Sequence, residues 1–459
     1  MTDEQGPPQA RDGQRHTARG SATRRGFFAL AGATALAGCT GLGDVLGDNP
    51  PKLDGGELKG VLSTPFPSVT ERFPIPIEES YLNETAASVE QRLTTVPAPF
   101  DAQEIPNGAI REELSEMYDD ATGELEDAAD EPSPLETMRT LRDAREQTRA
   151  VTASWAAIDD GLAFADVRKS VPQIRSDIDA FRGQWSYVGD DPIRAILAHR
   201  ELEVLVASAG RRSRDAPERY SREQETPILV GKFAGDLEEA RAALDDAEYL
   251  YDRYESSMDD PRQVRSEIVS LADSLARTFR DRLKDLPNGD GQKPSSFVEP
   301  DIEDTPVAAA MTKLFRDLDY ADGLADELKT GQRTRAILSA HESLVRVRAF
   351  ESLRERVNDG EYVTVESTED VRKIRNSAIA AFEDALASRE KSRLNRYVLS
   401  QIDGAIRYAD RELDDYDEDD DVSVGWINRE LGQYVLVGAM ARATPPTSAT
   451  VADEIQQAF

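Results

Sequence analysis

Apolar residues recur every three or four positions along most of the chain after Glu78, which is the spacing of one helix face. In the stretch PRQVRSEIVSLADSLARTFRDRL, Val264, Ile268, Leu271, Leu275 and Phe279 make one stripe, with Arg, Asp and Glu on the other positions. A helix of this kind must bury its stripe against neighbours. The pattern therefore predicts an all-α chain, a multi-helix bundle or stacked helical bundles, joined by turns such as residues 286–296. Five helix starts share one device, a capping side chain followed by proline: Ser133 before Pro134, Asp191 before Pro192, Thr226 before Pro227, Asp260 before Pro261, and Thr305 before Pro306. The first residue can accept from an exposed amide of the opening turn, and proline at the first helical position gives up no needed donor. Ser133 with Glu136 completes a capping box. Ahead of the helices, residues 61–77 carry Pro65, Pro67, Pro74 and Pro76, which predicts a short extended, Pro-rich segment with room for one short strand. A first helix is expected over residues 78–93.

There are traces of internal repetition. QIRSDI at residues 173–178 recurs as QVRSEI at 263–268 and more faintly as KIRNSA at 373–378; RAIL occurs at 194–197 and again at 335–338. In register, the RAIL copies also align Glu201 with Glu342, Val204 with Val345 and Val206 with Val347. The spacings agree on no single period, so degenerate duplicated units and chance among similar helices both fit. The division expected is a signal segment 1–38, a flexible tether 39–60 rich in Gly, Asp and Pro, an N-terminal helical region 61–257 and a C-terminal helical region 258–459.

The signal segment is read from residues 23–39, TRRGFFALAGATALAGC, which hold the only cysteine of the chain. Arg24 and Arg25 precede an apolar run of 12 residues, Phe27 through Gly38, well short of the roughly 20 needed to cross a bilayer as a helix. A basic patch, a short apolar core and small residues before a processing point make a translocation signal. The alternative is a buried structural cysteine beside an ordinary amphipathic stretch. Residues 23–28, TRRGFF, resemble the twin-arginine export signal, and residues 36–39, LAGC, resemble a lipobox; together they resemble the N-terminus of haloarchaeal surface lipoproteins. The resemblance covers only the first 40 or so residues. It implies export by the twin-arginine machinery, removal of the signal, and a two-chain ether lipid on Cys39 as the new N-terminus, holding the chain on the outer face of the cytoplasmic membrane. One lipid chain binds a membrane only marginally, so the second chain matters.

Charge narrows the setting. The net charge is -33, from 88 acidic and 55 basic residues, and only 10 of the basic residues are lysine. Self-repulsion on this scale is tolerable where salt shortens the Debye length to roughly 3 Å at 1 M, which points to a halophile. Arginine, with its forked and weakly hydrated head, suits a crowded acidic surface. The acidity argues against nucleic acid as a partner, because phosphate binding needs a basic face. With one cysteine there is no internal disulfide, and stability must come from packing.

Candidate chemistry is sparse. His199 and His341 each follow a RAIL copy and border an apolar stripe; two such residues could face one another as metal ligands or a proton relay, or each could be a boundary histidine with a satisfied hydrogen bond. The acidic run 413–423 alternates Asp417, Asp419 and Asp421, but Val422 and Asn428 stand where a calcium loop needs glycine and glutamate, so a solvated acidic turn is expected. Asn83 is the one Asn-x-Ser/Thr acceptor and a candidate for glycosylation, although it falls inside an expected helix. Trp155, Trp185 and Trp426 read as core or bundle-edge aromatics. No nucleophile elbow, phosphate loop or dinucleotide fingerprint is present, and no catalytic, metal or cofactor-binding residue is nominated. The function expected is a non-catalytic binding or scaffold component of a membrane-associated assembly, with a surface protein as partner. The alternative is a solute-binding lipoprotein that delivers a ligand to a transporter.

Overall fold

The computed structural model describes residues 51–459 except 222, 288, 290–292, 320, 321 and 389–391. Arg24, Arg25 and Cys39 therefore lie outside the described residues. The chain is an all-α multi-helix bundle, as the spacing of its apolar residues implies. The N-terminal half holds β1 (Lys52–Asp54), α1 (Gly55–Val61), α2 (Glu79–Leu93), α3 (Gly108–Asp130), α4 (Pro134–Asp159), α5 (Phe164–Arg168), α6 (Val171–Gln184), β2 (Val188–Gly189), α7 (Pro192–Tyr220) and α8 (Pro227–Ser256). There follow β3 (Arg262–Gln263), α9 (Arg265–Lys284), α10 (Pro306–Asp319), α11 (Asp322–Thr330), α12 (Arg333–Asn358), α13 (Thr368–Ala387), α14 (Ser392–Asp414), β4 (Asp421–Ser423) and α15 (Val424–Ala458).

Two helices organise the packing. In the first half α8 lies between α4 and α7, and α4 also carries α2 and α3. The α4–α8 contact is close because Gly231 faces α4: a Cβ there would sit 1.9 Å from Ser154 Oγ and 2.3 Å from the Ala150 carbonyl. In the second half the 35-residue α15 is the axis, with α9, α10, α12, α13 and α14 packed round it. The stripe read from the sequence holds: Val264, Ile268, Leu271, Leu275 and Phe279 are all buried.

Four of the five proline-led starts form the expected cap. Ser133, Asp191 and Thr226 accept from the amides of Glu136, Arg194 and Leu229. Thr305 accepts from the Ala308 amide ahead of α10 in the same way. Asp260 does not, because Arg262 and Gln263 pair in antiparallel register with Gly189 and Val188, and α9 begins only after that ribbon. Long-range strand pairing overrides the local cap signal here.

The tether expected over residues 39–60 is corrected from Lys52 onward. Leu53 and Leu58 are buried, β1 pairs with β4 (Leu53 opposite Val422), and Asp54 caps α1 by accepting from the Glu57 amide at 2.8 Å. Gly55 is a close-approach residue: a Cβ there would lie 2.1 Å from the Asp417 carbonyl oxygen, while its amide donates to the Asp420 carbonyl at 3.0 Å. Its lack of a side chain permits packing. The expected N-terminal region is corrected in the same sense, since Leu53, Val61, Phe66 and Val69 join the core of the C-terminal half. Residues 67–78 hold no helix or strand and bend at 74–75, and the short strand allowed for over 61–77 is reduced to a single bridge at Phe66.

Candidate functional site

Where the two halves meet, a cleft of about 220 Å3 opens between the extended segment at Glu71–Pro74, Leu135 of α4, Leu197, Arg200 and Glu201 of α7, and Arg393, Arg396 and Tyr397 in the opening turns of α14. Its floor is a ring of four charges. Arg139 Nη1 and Nη2 donate to Glu71 Oε2 and Glu201 Oε2, each at 2.9 Å; Arg200 Nη1 donates to Glu71 Oε1 at 2.8 Å and to Glu201 Oε2 at 2.9 Å. Burial alone would raise the Glu201 carboxyl, but Arg139 and Arg200 hold it below its usual range. Two carboxylates and two guanidiniums thus neutralise one another. Arg200 also stacks over the ring of Tyr397 at 5.4 Å, and its buried Nε has no hydrogen-bond partner among the described residues.

Two residues past Glu201 on α7, Glu203 couples the halves. Its carboxylate accepts from the amides of Thr334 at 2.9 Å and Arg335 at 2.8 Å, in the opening turn of α12, and from the Tyr187 hydroxyl at 2.8 Å. α12 has no side-chain cap of its own at Gln332, so its exposed amides are satisfied across the junction. Burial pushes the Glu203 carboxyl up to about 6, against the pull of those two amides and Tyr187. Glu203→Ala is expected to cost about 2 kcal/mol by leaving two buried amides unpaired. Scanning calorimetry is expected to show one unfolding endotherm for the native chain and a broadened or split one for the variant, as the halves uncouple.

The histidines are not brought together as a pair. His199 is buried in the N-terminal half, where the Trp185 indole donates to Nδ1 at 3.1 Å; Nε2 then carries the proton and donates to the Val188 carbonyl at 2.8 Å. His341 is buried in the C-terminal half with Nε2 3.0 Å from Ser448 Oγ on α15, and its Nδ1 has no partner among the described residues. Each is a core residue rather than a boundary one. Burial lowers both to about 4, so both are neutral in ordinary buffers.

The acidic run is a structural platform as well as a turn. Its backbone carbonyls at Glu418 and Asp420 accept from Gly56 and Gly55, and Asp421 pairs with Lys52 at 2.9 Å. Among the described residues, the acidic side chains that converge closely enough for a cation are Glu146, Asp236 and Glu239 instead. Arg212 already pairs with Asp236 and Glu239, Arg219 pairs with Asp236, and burial followed by the Glu239 charge pushes Glu146 up to about 8. That arrangement is a charge-balanced ion-pair network. Asn83 is exposed on α2, with the Thr85 hydroxyl donating to the Tyr81 carbonyl at 2.9 Å. Trp155 packs on Phe100 and Trp185 on His199, whereas Trp426 is neither core nor covered edge, being 72% exposed on the first turn of α15.

Two family models match the chain, one in each half. Residues 80–260 match a domain of unknown function, DUF8262, and residues 265–453 match a second, DUF8264. No curated protein and no solved structure matches. The break between the two matches lies beside the β2–β3 ribbon. The cleft draws on both matched stretches and on residues 71–74, which precede them. Sequence reading nominated none of its charged residues. The one signal available was Glu201, a carboxylate beside the apolar face of the helix that follows RAIL.

Proposed function

We propose that this chain is a lipid-anchored extracellular helical protein that serves a membrane-associated assembly by binding, without catalysis of its own. The observation that carries the binding half of this reading is the cleft at the junction, since clefts between structural units are preferred ligand sites. The absence of a histidine pair among the described residues supports the non-catalytic half: His199 is bonded to Trp185 and Val188 and His341 to Ser448, each inside its own core. The anchoring half rests on Arg24, Arg25 and Cys39. No described helix is long and apolar enough to cross a membrane.

A second reading, delivery of a solute to a transporter, is favoured by the small size of the cleft, which lies below the roughly 300–1,000 Å3 of sites for drug-sized ligands. Fractionation of cells in native brine tests the anchor: Cys39→Ala is expected to move the protein from membranes to the medium, and a variant still firmly on the membrane would refute it. Cross-linking in intact cells, followed by mass spectrometry of peptides joined to residues 71–74 or 393–397, separates the two readings. A neighbouring surface protein as the main adduct supports the assembly role, and a transporter subunit supports delivery.

A further inference from the structure

The junction cleft has a charge opposite to that of the chain around it. Four arginines line it against two glutamates, and both glutamates are spent on Arg139 and Arg200 in the floor. The surplus is Arg72, Arg393 and Arg396. Among the described residues no carboxylate lies within ion-pairing distance of Arg72 or Arg396, and Arg393 has only Asp191, at 3.7 Å. In a protein of net charge -33, where unpaired carboxylates abound, leaving guanidiniums unmatched at one concave place calls for an external counter-charge.

A second observation is independent of charge. Tyr397, a mostly buried side chain, lines the same cleft, and its hydroxyl is open to the cleft and hydrogen-bonded by no described residue. It comes from the opening turns of the 23-residue α14, the positive end of the helix dipole, as do Arg393 and Arg396. The remaining walls, Phe73, Pro74, Leu135 and Leu197, are apolar.

We propose that the cleft binds a small organic anion, a carboxylate or phosphate head on a short apolar body, with Arg72, Arg396 and Arg393 forking the head, Tyr397 donating to it, and Phe73 and Leu135 covering the body. This rests on the reading of the protein as a binding component and gives that site its ligand class. Guanidinium forks suit both carboxylate and phosphate, and the experiment tells them apart.

The test is a thermal shift of the full chain in potassium chloride brine with benzoate, with phenyl phosphate, and with the uncharged isosteres benzamide and benzyl alcohol. One or both anions are expected to raise the melting temperature in a saturable way, and the neutral compounds are not. The double variant Arg72→Ala/Arg396→Ala, both exposed positions, should weaken anion binding at least tenfold, and Tyr397→Phe should weaken it a few-fold, without changing the helical circular dichroism. A larger shift with phenyl phosphate assigns a phosphate head; a larger shift with benzoate assigns a carboxylate. Equal shifts with charged and neutral compounds would overturn the anion while leaving the site a binding cleft, and so would anion binding untouched by the double variant. Absence of any shift would overturn the anion as well, leaving the assembly role to the cross-linking result.

Discussion

Arg375→Met is expected to lower the melting temperature of the C-terminal half by roughly 6–12 °C, corresponding to about 3 kcal/mol or more. Arg375 is 1% exposed and makes four interactions: Nε and Nη2 to Asp410 at 2.9 and 2.7 Å, and Nη1 to the carbonyls of Thr64 at 2.7 Å and Val61 at 3.3 Å. Its removal leaves the largely buried Asp410 with only the Tyr434 hydroxyl at 2.6 Å, and leaves two carbonyls without their donor. The methionine fills the volume, so the loss measured is the charge and its hydrogen bonds. Limited proteolysis should show new cuts between residues 51 and 69, because Arg375 ties that segment to α13. A variant that melts within 1 °C of the native protein, with the segment still protected, would show that the clamp carries no stability.

The second large effect is proton-linked. His199 and His341 titrate near 4 in the folded chain because burial disfavours the imidazolium, against about 6.5 when unfolded. Between those values the unfolded chain binds more protons than the folded one, so stability is fully present above pH 6.5 and falls as the pH drops towards 4, by roughly 3 kcal/mol for each histidine. Carboxyls raised by burial oppose this, three of them strongly. Glu146, raised to about 8, and Asp246 and Glu203, both raised to about 6, favour the folded state as they take up protons on acidification. The net curve is therefore shallow, and the contribution of one histidine is read by difference. From pH 6.5 to 4, the native protein should lose about 3 kcal/mol more unfolding free energy than His341→Asn, and likewise for His199→Gln. Denaturant titrations at constant salt measure it. Parallel curves for native and variant chains would mean the imidazoles charge at no cost.

What could be read without the structure was local in the chain. The stripe through Ile268 and Phe279 and the caps at Ser133, Asp191 and Thr226 each need only a few neighbouring residues, and all of them form. Asp260 failed because its neighbours pair with residues on the far side of α7 and α8, and no helix signal carries that information. Gly55 was misread for a related reason: a glycine in a loose linker and a glycine pressed against the Asp417 carbonyl are the same letter. The site was nearly invisible. Glu71 and Arg396 line one cleft although most of the chain lies between them, and neither sits in a motif. In a sequence so rich in Arg, Asp and Glu, only three-dimensional pairing shows which charges are spent and which are left over.

The ribbon of β1 with β4 sets how the body responds to force. A pull on the chain at Pro51 meets the Val424 amide bonded to the Pro51 carbonyl, then the ladder from Lys52–Ser423 to Asp54–Asp421, and behind these the Arg375 clamp on Val61 and Thr64. These latches stand in series, so load is released one bond at a time from the N-terminal side. Because Leu53, Leu58, Val61, Phe66 and Val69 are packed into the core of the C-terminal half, that half takes the load before the one built on α8.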